Sequence, residues 1–592
     1  MRPERLFRHL SQGARGSRHF DSAGDTLMTK IDPILLSVYS RTFKSITDEM
    51  SLSVQKSARS PILCEAKDFV TGLYDAKGNM LEQTENLPIL AFSLAPVCKY
   101  ILQYFGDDIH PGDVIFHNDV FSMGNQNNDV AVYKPVFFEG KLVAWTAVKG
   151  HQADIGGAVA GGYNPAAKEV WQEALRIPPV KVWEKGKLRK DVWDLIFANI
   201  RFEMVQHDLR AQMGAATVGE RRMLDLLDKY GVESFEAHKL ALFDATRKMM
   251  EAEIATIPNG TYYGEGKVFY DGHNLGSQYT IRVKIEVKDR SIRFDYSETD
   301  PQTDGFVNGT FTSSASATVL TLLQMVNPDM PHNEGMIQPI EIVIPEGTIL
   351  NASYPKATTF GNHLCPPNAD AIVRALAPVI PDRVTAGWNH LLCALTTGID
   401  PDKNERYVDI GFMAQKGGSG AMNGTDGYDH IGMIDASGGL MDQDYEMFEQ
   451  QTPHFLLKHE YIRDSAGAGQ WRGGIGVETV YRIGSDDTQV VTFGDGDFEP
   501  AFGLFGGGQG TLNSITLTYP DGSNVVPRNK DLIVGVPKGT IYQQFAGGGG
   551  GYGDPRKRDR ALLAREVRDG MISPEAARDI YGLEGSDGLA RT

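Results

Sequence analysis

Cysteine is scarce in this chain: four in 592 residues, Cys64, Cys98, Cys365 and Cys393, with no C-x-x-C pair among them. That excludes a disulfide framework and a thiolate zinc site, both of which need closer or denser spacing, and leaves buried reduced thiols as the expected state. No run of about 18 apolar residues occurs, so no membrane span is expected. No G-x-x-x-x-G-K-[ST] motif occurs either, and KGGSGAMNG is not followed by a recognisable phosphate-binding helix start, so no nucleotide fold is expected within the chain. Basic charge is outweighed: 58 Lys and Arg against 76 Asp and Glu give a net charge of -18. Such a protein repels phosphate backbones and anionic membranes, which argues against nucleic-acid or electrostatic membrane binding.

What remains is ordinary for a soluble globular protein, with 41% hydrophobic and 23% charged residues. Glycine is the exception, at 65 residues, above the usual ~7% and a sign of tight turns and close backbone approaches. The Arg-rich segment 1–29 lacks the apolar core of a secretory signal and reads as a disordered extension, with Met28 a candidate start. A cytoplasmic location is expected.

Apolar spacing predicts helices over 31–59, 93–105, 191–230, 240–257, 315–325 and 366–378. Alternating runs predict strands across 112–157, across 260–350 (YTIRVKIEV, SIRFDYSET) and in the glycine-rich part after Asp400 (VETVYRI, TQVVTFG, SITLTYP). Ser573–Pro574 is a helix start, a side-chain cap followed by Pro at the first helical position. The expected fold class is α+β: a large mixed composite of antiparallel hairpins and sheets packed with helices. One catalytic region covers 30–552, and a helical tail covers 553–592.

The chemistry concentrates in residues 117–157. VAVYKPVFF and KLVAWTAVK flank Glu139–Gly140 and read as a β-hairpin. Its open end gathers Gln126, Asn128, Asp129, His151 and Asp154. A hairpin folded without irregularity sets residue 128 against 151 and Asp129 against 150, on the opposite face from His151. Pro135 cannot donate to a ladder, so a one-residue bulge near it is expected, and such a bulge brings Asp129 onto the face of His151. An imidazole with carboxylates and carboxamide oxygens can hold Zn²⁺ or Mn²⁺. The same groups can act as general base and acid without metal, or simply bond loop backbone. Elsewhere, Asp208 and Gln212 lie four apart on one helical face. His363, Asn389 and His390 read as ordinary, partly buried polar residues. Arg472 reads as a structural ion-pair partner.

The stretch AVKGHQADIGG resembles the GHHADIGG-type signature of the hydantoinase B/oxoprolinase family. SPILCEAKDF, FDYSETDPQTDGFVN, RDSAGAGQWRGGIG and GGGGGYGDPRKR echo the same family in consistent order from residue 30 onward. The resemblance implies a catalytic subunit working with a hydantoinase A-like subunit that binds ATP and magnesium, in a hetero-oligomer. It implies Asp129, His151 and Gln126 at the family's metal position, with Gln126 and Gln152 standing where the family carries His, and Leu90 at a further family His. Catalysis is then expected from His151, Asp129, Asp154 and Asp208. Substrate contacts are expected from Glu65, Asp68, Gln212 and Asn128. The version of the motifs here is most similar to the acetophenone and acetone carboxylase branch, so ATP-dependent carboxylation of a ketone through a phosphorylated enolate is the first expectation. Hydrolysis of a cyclic amide (a hydantoin, 5-oxoproline or a lactam) is the second, and a non-catalytic scaffold the third.

Overall fold

A computed structural model describes residues 31–583 except Glu85; the segment 1–29 and the last residues of the tail lie outside the described residues. A seven-stranded sheet carries the hairpin. Its strands are β1 Phe69–Asp75, β2 Met80–Gln83, β3 Val114–His117, β4 Asp129–Phe138, β5 Lys141–His151, β6 Val180–Glu184 and β7 Lys187–Leu188, in the order β2-β1-β5-β4-β3-β6-β7. Helix Pro33–Ser57 packs against helix Glu203–Tyr230, which in turn lies on β4 and β5. The first of these helices starts as its sequence dictates: Asp32 caps Ile34 N at 2.9 Å and Pro33 fills the first turn. Three further sheets, of four, four and five strands, follow along the chain. The mixed α+β architecture expected from the sequence is the one found.

Strands β1, β4 and β5 are buried almost throughout, with helices packed on them. One contiguous apolar core joins this sheet to helices Phe311–Met325 and Cys365–Leu376, and a separate cluster sits under the five-stranded sheet. The stretch Pro88–Phe105 is long and apolar enough to cross a membrane by composition. It breaks around Phe92–Ser93, however, and Leu90, Leu94, Val97, Cys98 and Ile101 are fully buried in the core.

Two boundaries differ from the sequence reading. The helical span 191–230 is two helices, Lys190–Phe197 and Glu203–Tyr230. The chain turns between them because Asp154 accepts hydrogen bonds from Arg201 N at 2.9 Å and Arg201 Nη1 at 2.8 Å. The next helix begins at Val232 rather than 240, directly after Gly231, whose φ of +79° ends its predecessor.

Close approach explains much of the glycine. A Cβ on Gly266 would lie 1.8 Å from Pro367 O, where helix Cys365–Leu376 rests on the strand Gly260–Phe269. In the run 547–551, Cβ atoms on Gly549 and Gly550 would lie 1.9 Å from Ser419 O and 1.8 Å from Phe502 O. That run threads between other backbones where no side chain fits. At the C-terminal end, Ser573 caps Ala576 N at 3.0 Å, as its Ser-Pro pair predicts. Arg472 and the fully buried Arg558 share Glu566, and Asp429 and Asp426 complete the network, fastening the terminal helices. Arg472 is thus an ion-pair partner, as read from the sequence.

Candidate functional site

The hairpin β4–β5 pairs Asp129 with His151, not with residue 150, because the register shifts by one between Val136 and Phe137, next to Pro135. Everything between that bulge and the open end is displaced by one residue, which sets both side chains on one face. His151 Nδ1 and Asp129 Oδ1 are 2.9 Å apart, both buried. The other oxygen of Asp129 accepts from Asn125 Nδ2 and, at 3.0 Å, from Asn362 Nδ2. Asn125 is held from behind by Lys149, whose ammonium donates to Asn125 Oδ1 at 2.8 Å and to Ser93 Oγ. Burial lowers the Lys149 pKa to about 7 against the pull of Asp129.

This network places His151 Nε2 at the wall of a cavity of about 40 Å³, room for a few waters. Asp68, Gln126, Tyr163, Asn362, His363 and Asp435 share the wall with the apolar Ile410, Phe412 and Phe493. His151 Nε2 and one oxygen each of Asp68 and Asp435 have no hydrogen-bond partner within the protein. Burial would lower the His151 pKa, but the bond to Asp129 and the charges of Asp68 and Asp129 outweigh it and the pKa is raised. Asp68 and Asp435 are both pushed up to about 7, mainly by burial. The site therefore offers an oriented imidazole and two carboxyl groups that can carry protons near neutrality, a set suited to acid–base chemistry on water. A second cavity, of about 280 Å³, shares Ile410 and Phe412 and is lined by Arg59, Lys403, Arg406 and Asp409 among others.

The donors at the family's metal position are spent on one another. Asp129 accepts from three donors, Gln126 Oε1 accepts from Asn362 at 2.9 Å, and Gln126 Nε2 donates to Thr359 O at 2.7 Å. Asp129 and His151 face each other rather than a common point. Asp129 and His151 thus form a hydrogen-bonded dyad, and the atoms left open toward the cavity are His151 Nε2 and one oxygen each of Asp68 and Asp435.

The other sequence candidates scatter. Asp154 is the clamp on Arg201 described above and also accepts from Gly161 N. Asp208 accepts from Arg59 N and Ser60 N. Gln212 links Gln152 to Val130 O, and Asn128 donates to Gly161 O. Glu65 accepts from Asp444 N. None of these five lines the cavity with His151, whereas Asp68 and Gln126 do. Leu90 and Gln152, which stand at family His positions, are buried structural residues.

Residues missed from the sequence include Lys149, Asn125, Asn362, Tyr163 and Asp435. His363 was read as an ordinary polar residue. Its Nε2 meets Tyr163 OH at 2.9 Å, and Tyr163 stacks on Phe493 at 4.2 Å, so it is part of the cavity wall. Lys149 could have been found as a charge inside the apolar run of its strand, and Asn125 lies only four residues from Asp129, whereas Asn362 and Asp435 come from segments more than 200 residues away.

The family model for hydantoinase B/oxoprolinase matches residues 32–555. The β subunit of caprolactamase from Pseudomonas jessenii is 36% identical over 567 residues, covering 94% of this chain and 97% of that one. The crystal structure of the ATP-dependent caprolactamase from the same organism superposes with a TM-score of 0.89 at 34% identity, over 95% of this chain and 98% of its own. Nucleotide-free acetone carboxylase shares the fold, with a TM-score of 0.84 at 21% identity, over 95% of this chain and 82% of that one.

Proposed function

Because the chain belongs to the hydantoinase B/oxoprolinase family and is an enzyme subunit of that type, we propose that it hydrolyses a cyclic amide of the lactam class after an A-type partner subunit has phosphorylated the amide oxygen with ATP. Similarity to a caprolactamase β subunit, 36% identical along nearly the whole chain, supports this over the ketone carboxylation expected first from the motifs, since the likeness to acetone carboxylase is one of fold alone. The observation that carries the chemistry is the buried Asp129–His151 pair with Nε2 turned to the cavity.

An amide resists water because its carbonyl carbon is electron-rich and its nitrogen leaves poorly; an O-phosphorylated imidate removes the first obstacle. Water gives a proton to His151 Nε2 as its oxygen bonds to the imidate carbon. Asp129 holds the imidazole in the tautomer with its proton on Nδ1 and stabilises the imidazolium. The proton on His151 passes to the substrate nitrogen, the hydroxyl of the adduct then gives its own proton to the same nitrogen through His151 as the C–N bond breaks to an amine and the C=O forms, and the acyl phosphate left behind loses phosphate to a second water. Asp68 or Asp435, protonated near neutrality, serves as the hydrogen-bond donor to the phosphorylated oxygen. A lactam does not fit in 40 Å³. The neighbouring 280 Å³ cavity behind Ile410 and Phe412 is where it would reside, with movement of those two side chains joining the spaces.

The test is ATP turnover by the complex of this chain with its co-purified partner, given caprolactam, hydantoin, 5-oxoproline or acetophenone, each with and without bicarbonate. ATP use with a cyclic amide and no bicarbonate supports the proposal. ATP use that demands ketone and bicarbonate together overturns it in favour of carboxylation.

A further inference from the structure

Away from this cavity, three donors from three segments converge. His430 Nε2 lies 3.2 Å from His459 Nε2 and 3.1 Å from Asp442 Oδ2, and all three atoms fall within 4.8 Å of one another. A tetrahedral zinc with bonds of about 2.0–2.2 Å spaces its ligands roughly 3.3–3.5 Å apart, so two edges of the triangle are already close to those of a metal site. His459 is set for the role: its Nδ1 bonds Thr479 Oγ1 at 3.0 Å, which fixes the ring and leaves Nε2 as the ligand atom. His430 is held at φ +48°, a backbone region few residues with a side chain adopt. The donors are half-buried, which leaves the fourth position to water.

We propose that His430, Asp442 and His459 form a binding site for a divalent transition metal such as zinc. His430 and Asp442 bracket residues 431–441, and this loop carries Met433, Asp435 and Leu440 of the cavity wall. Met441 N also bonds Ala66 O, two residues from Asp68. His459 belongs to the strand Phe455–Tyr461, at the edge of the five-stranded sheet. A bound ion thus staples both ends of the loop to that edge and holds the wall of the candidate site. The binding itself does not depend on which reaction the cavity supports. One group opposes the ion: Lys416 Nζ sits 3.2 Å from the other oxygen of Asp442. In the metal-free protein it balances that carboxylate; beside a metal it repels.

The full chain is stripped with chelator and titrated with Co²⁺, followed by visible d–d absorption, and then with Zn²⁺ by calorimetry. One equivalent of Co²⁺ is expected, displaced by Zn²⁺. His459→Asn and His430→Asn should each weaken binding by more than about a hundredfold, beyond the loss typical of outer-shell changes. His151→Asn should leave it unchanged. Lys416→Met should tighten it severalfold, which a purely hydrogen-bonded triad would not do. Binding that survives both His430→Asn and His459→Asn, or that is lost in His151→Asn alone, overturns the site.

Discussion

Replacing Asp129 with Asn tests the dyad most sharply, because the structure dictates what the new amide must do. The native carboxylate accepts from His151 Nδ1, Asn125 Nδ2 and Asn362 Nδ2. An asparagine there has one oxygen and one NH₂. If its oxygen faces His151, its NH₂ meets two amide donors in a buried site. Each donor left unmatched costs about 1–3 kcal/mol. If its NH₂ faces His151, the imidazole must accept at Nδ1 and carry its proton on Nε2, where it can no longer take one from water. The second arrangement satisfies both asparagines and is the one expected. Loss of the working tautomer in a comparable triad lowers kcat by about 10⁴, and a loss of 10³–10⁴ is expected here in ATP-coupled turnover of the two-subunit complex. KM for the cyclic amide should change little, since Asp129 touches His151 rather than substrate. The chain should remain folded, with an apparent Tm lowered by a few degrees at most. Turnover within tenfold of the native value refutes the assignment of His151 as general base.

Further expectations follow from the same network and its surroundings. Asp68 is raised from 3.8 to about 7, so between those values the folded chain binds more protons than the unfolded one and stability declines as pH rises. Asp68→Asn removes that decline, worth on the order of 4 kcal/mol, so its apparent Tm should gain on the native protein from pH 5 to 8.5. A constant difference across that range would contradict the buried, protonatable carboxyl. Lys149→Met frees Asn125 to turn and should lower kcat by up to about a hundredfold without changing KM, read by steady-state ATP turnover. Phe412→Ala opens the partition between the two cavities and should lower KM for the larger lactams relative to small ones; equal KM values would place the substrate elsewhere. Arg558→Met takes from Asp426 its ion-pair partner and leaves Glu566 with Arg472 alone, costs about 3–5 kcal/mol, and should expose the helices after residue 559 to limited proteolysis.

The difference between what the sequence disclosed and what it hid follows interaction range. Helix starts at Asp32–Pro33 and Ser573–Pro574 are readable because cap and proline are neighbours. The hairpin is readable because its turn and its alternation are local, and even the bulge could be anticipated from Pro135. The split at Ala198–Phe202 was hidden because its cause, Asp154, lies some forty residues upstream. The same fact engages Asp154 in this structure: its carboxylate is bound by a guanidinium and three backbone amides. Asp208 lies apart from the His151 cavity for a similar reason, being turned to the backbone at Arg59–Ser60. The cavity itself joins β1, the start of β4, the end of β5, and loops near 163, 362 and 435, and no spacing rule connects those segments. His363 shows the limit most plainly. As a residue in a short helical turn it carries no signal of its own, and only the Tyr163 hydroxyl 200 positions away makes it part of a wall. A hydrogen-bonded dyad at a position where the family resemblance implies a second imidazole is also a statement about composition: with Gln126 there, its amide needs a donor and an acceptor. Asn362 and Thr359 provide both, so the polarity that would bind an ion is turned inward to hold Asp129 and His151 in register.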